Sequence, residues 1–565
     1  MSRVSQGICT LVAVAIVTAC ASQNEEDKTQ GADHRAAKTD SPREVRERQE
    51  AFAKAVVSAN IGTISQSVPM SVSVPTAPPT YQQDVDTSRY EHLAENPVRL
   101  AAEQPVSTFS IDVDTGSYSN VRRFLNDGRL PPQDAVRVEE MINYFDYQYA
   151  VPATRSTPFS VSTELAAAPW NNDAWLLRIG IRGFDVKAEE RPAANLVFLI
   201  DVSGSMQTPV KLPLLKNAFR LLTDQLTARD RVSMVVYAGS SGVVLEPTSG
   251  DQKQKIREAI DRLEAGGSTN GAEGIQRAYQ LAHDTFIKGG INRVVLATDG
   301  DFNVGIVNFE DLVDMAERQR ASGVALTALG FGTENINDQL LERLADAGNG
   351  NYAYVDNLSE ARKVLVTELS STLFTIAKDV KIQVEFNPAE VREYRLIGYE
   401  NRMLARDDFN NDKVDAGEIG AGHRVTALYE IVPTGAHGRI DPLRYGAKPA
   451  NDARAEEIAH IRLRYKLPDS DKSQLLERPI RKSALVANGK LSPDLRFAAS
   501  VAAFGQLLRG SKYVGDFSYD DVTSLAKGAL DHDPEGYRRE FLSLVKLAGS
   551  LTPAQPAQKV SQVER

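Results

Sequence analysis

The run Leu196–Ile200 is apolar without interruption, and it constrains the fold more than any other stretch of the chain. A strand with one wet face alternates polar and apolar residues, whereas an unbroken run belongs to a strand covered on both faces. The segment after it is amphipathic at helical spacing, with Leu215, Ala218, Phe219, Leu222 and Leu226 on one stripe. Arg231–Tyr237, Arg293–Thr298, Val324–Gly330 and Asn351–Val355 read as further strands, separated by helical stretches such as Gly271–His283 and Phe309–Arg320. Strand and helix in alternation imply a doubly wound, mainly parallel sheet with helices on both faces, spanning residues 191–377.

The period changes on either side of this unit. Residues 101–190 form an α+β segment, with local helical character at Val121–Leu125 and Glu139–Phe145. Within it Trp175–Arg182 alternates, placing Leu177, Ile179 and Ile181 on one face and Arg178 and Arg182 on the other, as in a half-buried antiparallel strand. Residues 378–480 alternate in the same way. Val380, Ile382, Val384 and Phe386 interleave with Lys381, Gln383 and Glu385, and Ile461, Leu463, Tyr465 and Leu467 with Arg462, Arg464 and Lys466. An antiparallel β-sandwich with wet outer faces is the simplest account, and the α/β unit is either inserted in it or followed by it. Residues 481–565 are helical, opening at Ser492–Pro493, with Phe497, Val501, Phe504 and Leu508 on one face and Tyr537, Phe541, Leu544, Val545 and Ala548 on another. A chain of 565 residues has room for all these units, being too long for one core.

The N-terminus reads as an export signal over residues 1–20. Arg3 precedes the apolar stretch Ile8–Val17, which is too short to span a bilayer and ends in Val17–Thr18–Ala19–Cys20. That ending resembles a bacterial lipobox, with cleavage before Cys20 and lipid on its thiol; the alternative is a plain secretory signal with an incidental cysteine. Ala21 after it, in place of Asp, implies the outer membrane by resemblance to lipoprotein sorting. Residues 21–100 look like a disordered tether, polar and poor in aromatics, with a short helix from Ser41 to about Val57 and a Pro-rich spacer from Val68 to Thr80. The cysteines are Cys9 and Cys20, which leaves the body of the chain without a thiol for catalysis, a disulfide framework or a Cys-based zinc site. The net charge of −10 argues against nucleic acid as a partner, since no basic excess is available to displace phosphate counterions.

The chemistry concentrates where the first buried strand ends. Asp201–Val202–Ser203–Gly204–Ser205 offers a carboxylate and two hydroxyls at alternate positions, beyond the carboxyl end of a strand, where open α/β sheets bind ligands. Such hard oxygens suit Mg²⁺, and also Mn²⁺ or Ca²⁺. The pattern D-x-S-x-S resembles the metal-ion-dependent adhesion site of the von Willebrand factor A family, which includes integrin I domains. In that family a Thr and an Asp on later loops complete the site. Here these are Thr269, in Gly266–Gly267–Ser268–Thr269–Asn270, and Asp299, in Ala297–Thr298–Asp299–Gly300–Asp301. The resemblance implies that Ser203 and Ser205 bind the metal through their hydroxyls and Thr269 directly or through water. Asp201 and Asp299 would act through waters and as hydrogen-bond acceptors, and a Glu or Asp of a partner protein would fill the remaining coordination position. Asp301 reads as a solvated turn residue beside this set.

The whole chain from about residue 100 to 550 resembles a bacterial family of A-domain lipoproteins sometimes labelled calcium-activated chloride channel homologues, on the segment Phe109–Tyr118 and the domain order. No membrane-length apolar run lies beyond the signal, which argues against a pore. Two acidic stretches are read as structural. Asp112–Ser117 lacks the second hydroxyl and the later partners, and suits a turn or helix cap. Asp408–Glu418 places oxygens like a calcium loop but has Lys413 where that loop needs Gly and Ile419 where it needs Glu, and suits a polar hairpin. With no H-E-x-x-H, P-loop or G-x-S-x-G motif, the expected function is non-enzymatic. It is metal-dependent capture of a partner protein, for adhesion or scaffolding, by a lipoprotein of the cell envelope. The second reading is an accessory subunit of an envelope assembly or transport machine. The third and weakest is a metal-dependent enzyme.

Overall fold

The computed structural model describes residues 88–553, apart from residues 155, 188, 239–240, 268–270, 301–308, 334, 442–455 and 487–490. The signal and Cys20, the helix after Ser41, the Pro-rich spacer, Thr269 and Asp301 lie outside the described residues. Among those described, no helix is long and apolar enough to cross a membrane.

Strands β1 (Arg99–Leu100), β2 (Val106–Ser110), β3 (Phe159–Ala168) and β4 (Asn171–Gly183) come first. Six strands follow: β5 (Ala194–Asp201), β6 (Arg231–Tyr237), β7 (Ser241–Ser249), β8 (Ile291–Thr298), β9 (Ala325–Phe331) and β10 (Tyr352–Val355). The chain then makes β11 (Thr375–Phe386), β12 (Val391–Ile397), β13 (Ile419–Gly420), β14 (Arg424–Pro433), β15 (Glu457–Lys466) and β16 (Ser473–Arg481). β5 to β10 form one sheet in the order β10-β9-β8-β5-β6-β7. All its pairs are parallel except the edge pair β6–β7. Every residue of β5 is buried. One face of the sheet packs on Leu215, Ala218, Phe219 and Leu222 of helix Leu212–Gln225. The other packs on Ile275, Ala278 and Ala282 of helix Gly271–Asp284 and on Leu341 and Leu344 of helix Asp338–Ala347. Each such aliphatic side chain contributes roughly 1.5–3 kcal/mol on full burial, and that is why an unbroken apolar run selects this position.

The other strands make two antiparallel sheets, β1-β12-β14-β4-β3 and β13-β11-β15-β16, with β2 on β11. Leu177, Ile179 and Ile181 of β4 meet Ile382 and Val384 of β11 and Ile461 and Leu463 of β15 in one core. β4 precedes the α/β unit and β11 follows it, so the α/β unit is inserted in the sandwich.

The structure departs from the sequence expectations in three places. The outer faces are wet only in part: Arg462, Arg464 and Lys466 of β15 stay half-exposed, while other outward residues are covered. Arg178 is 7% exposed, with its guanidinium 4.7 Å from the centre of the Tyr149 ring. Ala174 and Leu176 share a core with Phe497, Phe504 and Phe541 of the C-terminal helices Pro493–Leu508 and Tyr537–Leu551. Lys381 and Gln383 are buried under the Asp407–Asn411 turn, where Lys381 Nζ donates to the carbonyls of Asp408 (3.2 Å) and Asn411 (2.6 Å); Glu385 alone of the three faces solvent. Alternation reported two different environments, and the second is in part protein. The tether also ends earlier than residue 100. Asn96 is buried and its amide donates to the Gly398 carbonyl at 2.7 Å, while β1 pairs with β12. Thirdly, of the turn or cap expected at Asp112–Ser117 the structure makes the turn, with the Asp114 N–H donating to Asp112 Oδ1 at 2.9 Å, and no cap, since helix Gly116–Asn126 has no side-chain cap bond at Thr115. The acidic residues of the turn also brace the inserted unit. Asp114 Oδ1 accepts from the Tyr352 N–H at 2.8 Å, and Arg402 sits among Asp112, Asp114, Glu342 and Asp346.

Two further buried arginines hold the inserted unit to this frame of sandwich and terminal helices. Arg122 donates to Asp356 (2.8 Å), Glu360 (2.7 Å) and the Tyr144 hydroxyl (2.9 Å). Arg137 bridges Glu140 of the frame and Asp338 of the inserted unit.

Candidate metal-binding site

β5 and β8 are adjacent and parallel, so Asp201 and Asp299, each placed at the end of one strand, emerge side by side. Both are fully buried. Asp201 Oδ1 accepts from the Ser203 N–H at 2.9 Å. Its Oδ2 accepts from the Thr298 hydroxyl at 2.9 Å and the Tyr237 hydroxyl at 3.3 Å. Protein donors thus engage both oxygens, and the carboxylate shapes the loop. Burial pushes Asp201 up to about 6, with the Asp299 charge adding to the rise and the Ser203 and Thr298 hydrogen bonds opposing it.

The Ser203 and Ser205 hydroxyl oxygens stand 3.0 Å apart. Ser203 is buried and Ser205 exposed, so the pair opens to solvent on one side. Hydroxyl oxygens at that separation are within hydrogen-bond distance of each other, and oxygens in adjacent positions around one small divalent cation stand about as far apart, so the pair fits a shared cation without identifying it. The stem of the third loop is fastened here too: Gly266 N–H donates to the Val202 carbonyl (2.8 Å) and Gly204 N–H to the Gly267 carbonyl (3.2 Å). Thr269 follows that stem.

One participant carried no signal in the sequence. Lys211, which is 5% exposed, places Nζ 2.9 Å from Asp299 Oδ2 and 3.0 Å from Asn335 Oδ1. It sits in the irregular loop before helix Leu212–Gln225, where no period marks a position as inward. Thr298, at the end of a strand read for its apolar pattern, was equally invisible as the partner of Asp201. Of the second acidic stretch, Asp412 is held by Arg464 at 3.0 Å and Asp408 Oδ2 accepts from the Ala405 N–H at 3.2 Å, so these carboxylates serve the local turn.

A sheet of this order with a D-x-S-x-S loop at its carboxyl edge defines the von Willebrand factor A class, and the model described as von Willebrand factor type A domain matches residues 195–367. A model described as von Willebrand factor matches residues 84–178, and one described as Uncharacterized protein YfbK, C-terminal, matches residues 371–551. The chain is 48% identical over 495 residues to Uncharacterized protein YfbK of Escherichia coli (strain K12), covering 86% of this chain and 85% of that one. It belongs to the YfbK family of von Willebrand factor A-domain proteins. Over 199 residues it is 28% identical to a UPF0353 protein of Mycobacterium sp. (strain KMS), covering 31% of this chain and 59% of that one. Among solved structures, von Willebrand factor type A from Catenulispora acidiphila aligns with 18% identity and a TM-score of 0.40, covering 71% of this chain and 91% of that one.

Proposed function

We propose that this protein binds a partner protein through its A-type domain, in a divalent-cation-dependent way, and does so from a lipid anchor in the cell envelope. The observation that carries the reading is the pair of hydroxyls 3.0 Å apart, beside two carboxylates from adjacent strands that are already held by protein donors. A cation there would be held by Ser203, Ser205 and Thr269, with Asp201 and Asp299 behind them. Bound so, it would supply an electrophilic position for one more oxygen ligand, and a Glu or Asp side chain of a partner has the right charge and hardness. Asp201 fixes the loop through Ser203 N–H, and Tyr237 and Thr298 fix Asp201. The lipobox-like ending at Cys20 and the polar stretch after it support an envelope location, with the outer membrane favoured by Ala21.

The test is crosslinking capture from envelope extracts with and without Mg²⁺, comparing wild type with Asp201→Ala. The expected result is a partner captured by wild type with Mg²⁺ and lost with EDTA or with the substitution. Equal capture in all arms would refute metal-dependent binding. Fractionation of wild type against Cys20→Ser tests the anchor, and an unchanged membrane share would refute it.

A further inference from the structure

We infer that Lys211 is a counter-cation built into the metal site, and that it makes the site select an anionic ligand. The inference rests on the reading of Ser203 and Ser205 as metal ligands.

The lysine is fixed in place. Its ammonium bridges Asp299 Oδ2 and Asn335 Oδ1 at 2.9 and 3.0 Å, and it is 5% exposed. Its stem lies against Gly332, which follows β9 with φ +96°; a Cβ there would fall 2.4 Å from Lys211 Cε. A side chain at Gly332 would displace the lysine, so the close approach and the left-handed backbone belong together. At its other end the lysine closes the Thr208–Lys211 turn, its N–H donating to the Thr208 carbonyl at 3.0 Å.

The consequence is a matter of charge. Asp201 and Asp299 bring two negative charges to the site, and Lys211 returns one positive. Two carboxylates alone would neutralise a divalent cation, and the loaded site would gain little from a further anion. Counting the described residues at the site, Lys211 leaves the loaded site one net positive charge in a buried setting, where charges are weakly screened. One carboxylate from outside restores neutrality. The same lysine repels the cation, so this chain trades metal affinity for anion selectivity. A neutral oxygen ligand, such as an amide or hydroxyl, gains nothing from that charge.

The experiment uses the full chain and Mn²⁺ as probe, with binding measured by titration calorimetry and by the electron paramagnetic resonance of the free ion. Wild type, Lys211→Met, Asn335→Leu and Ser203→Ala are compared, and acetate then serves as the carboxylate probe on the Mn²⁺-loaded proteins. Lys211→Met is expected to bind Mn²⁺ at least tenfold more tightly than wild type, and to bind acetate at least tenfold more weakly once loaded. Asn335→Leu, which frees the ammonium from one partner, shifts both in the same direction by less; it carries the test if Lys211→Met does not fold. Mn²⁺ binding that Ser203→Ala abolishes, with the same Mn²⁺ and acetate affinities in wild type and the Lys211 and Asn335 variants, overturns the role of the lysine and leaves the metal site standing. Absence of Ser203-dependent Mn²⁺ binding in wild type overturns both.

Discussion

Glu139 offers a measurement of how completely the interior of the frame excludes water. It lies on helix Val138–Asn143 and is fully buried. Burial, then the carboxylates of Glu400 and Asp112, push it from 4.5 to about 8. The folded state therefore holds a proton on Glu139 between about pH 4.5 and pH 8 that the unfolded chain releases. Stability tied to this group is fully present below 4.5 and is lost as pH rises to 8. One pKa unit is worth 1.36 kcal/mol, so the loss sums to about 5 kcal/mol over the window. Glu139→Gln keeps the shape and removes the titration. In urea melts followed by tryptophan fluorescence, the variant gains on wild type by about 4 kcal/mol between pH 5 and pH 8. Glu342, pushed to about 7 by burial, titrates in both proteins and cancels in the difference to first order. Parallel pH curves for the two proteins would refute the reasoning, since they would mean that Glu139 reaches water in the folded state.

Two further outcomes follow from single contacts. Gly300 has φ +91°, and a Cβ there would lie 2.3 Å from the Asn337 backbone nitrogen. Gly300→Ala therefore costs at least about 1–2 kcal/mol in backbone strain, and displaces the loop after Asp299, so both the melting temperature and Mn²⁺ affinity fall; unchanged values would show that the loop yields freely. Arg137→Met leaves the Glu140 and Asp338 carboxylates without their cation and Glu342 with Arg402 alone, at a cost of about 3–5 kcal/mol. The expected readout is a lower melting temperature and faster tryptic cleavage at the junction, and wild-type resistance would contradict it.

The parallel sheet was legible because β5 and β8 are buried on both faces and their sequences say so without ambiguity. The insertion was legible only as one of two options, since pairing of β4 with β14 joins residues about 250 apart in the chain, and no local pattern encodes it. What the sequence misreported was part of the outer face of the sandwich. Arg178, Lys381 and Gln383 are polar, and a period of two assigns them to water; the structure buries them with aromatic rings, carbonyls and hydroxyls as partners. Polarity along a strand tells that a face needs partners and leaves open whether water or protein provides them. In the candidate site the same limit applied. Asp201, Ser203, Ser205 and Asp299 stood out by spacing, whereas Lys211 and Asn335 are brought in by loops whose paths only the fold determines.

Those loops also explain why an A-type domain should be inserted in a frame at all. Asn335, which orients Lys211, belongs to the segment after β9. The frame holds that segment at two points: Arg123 Nη1 donates to the Thr333 carbonyl at 2.5 Å, and Arg89 N–H donates to the Ile336 carbonyl at 2.9 Å. The next residue, Asn337, packs its backbone against Gly300, directly after Asp299. Frame, loop and site thus form one line of hydrogen bonds and close backbone contacts. A loop fixed from both sides loses little further freedom when a ligand arrives, so less of the interaction energy goes to ordering it. An isolated A-type unit would keep Asp201 and its hydroxyl partners, which lie on β5, β6 and β8 within the unit, but would lose the outside hold on Asn335 and so on the lysine. By this argument the frame acts on the charge of the site rather than on its ligand set.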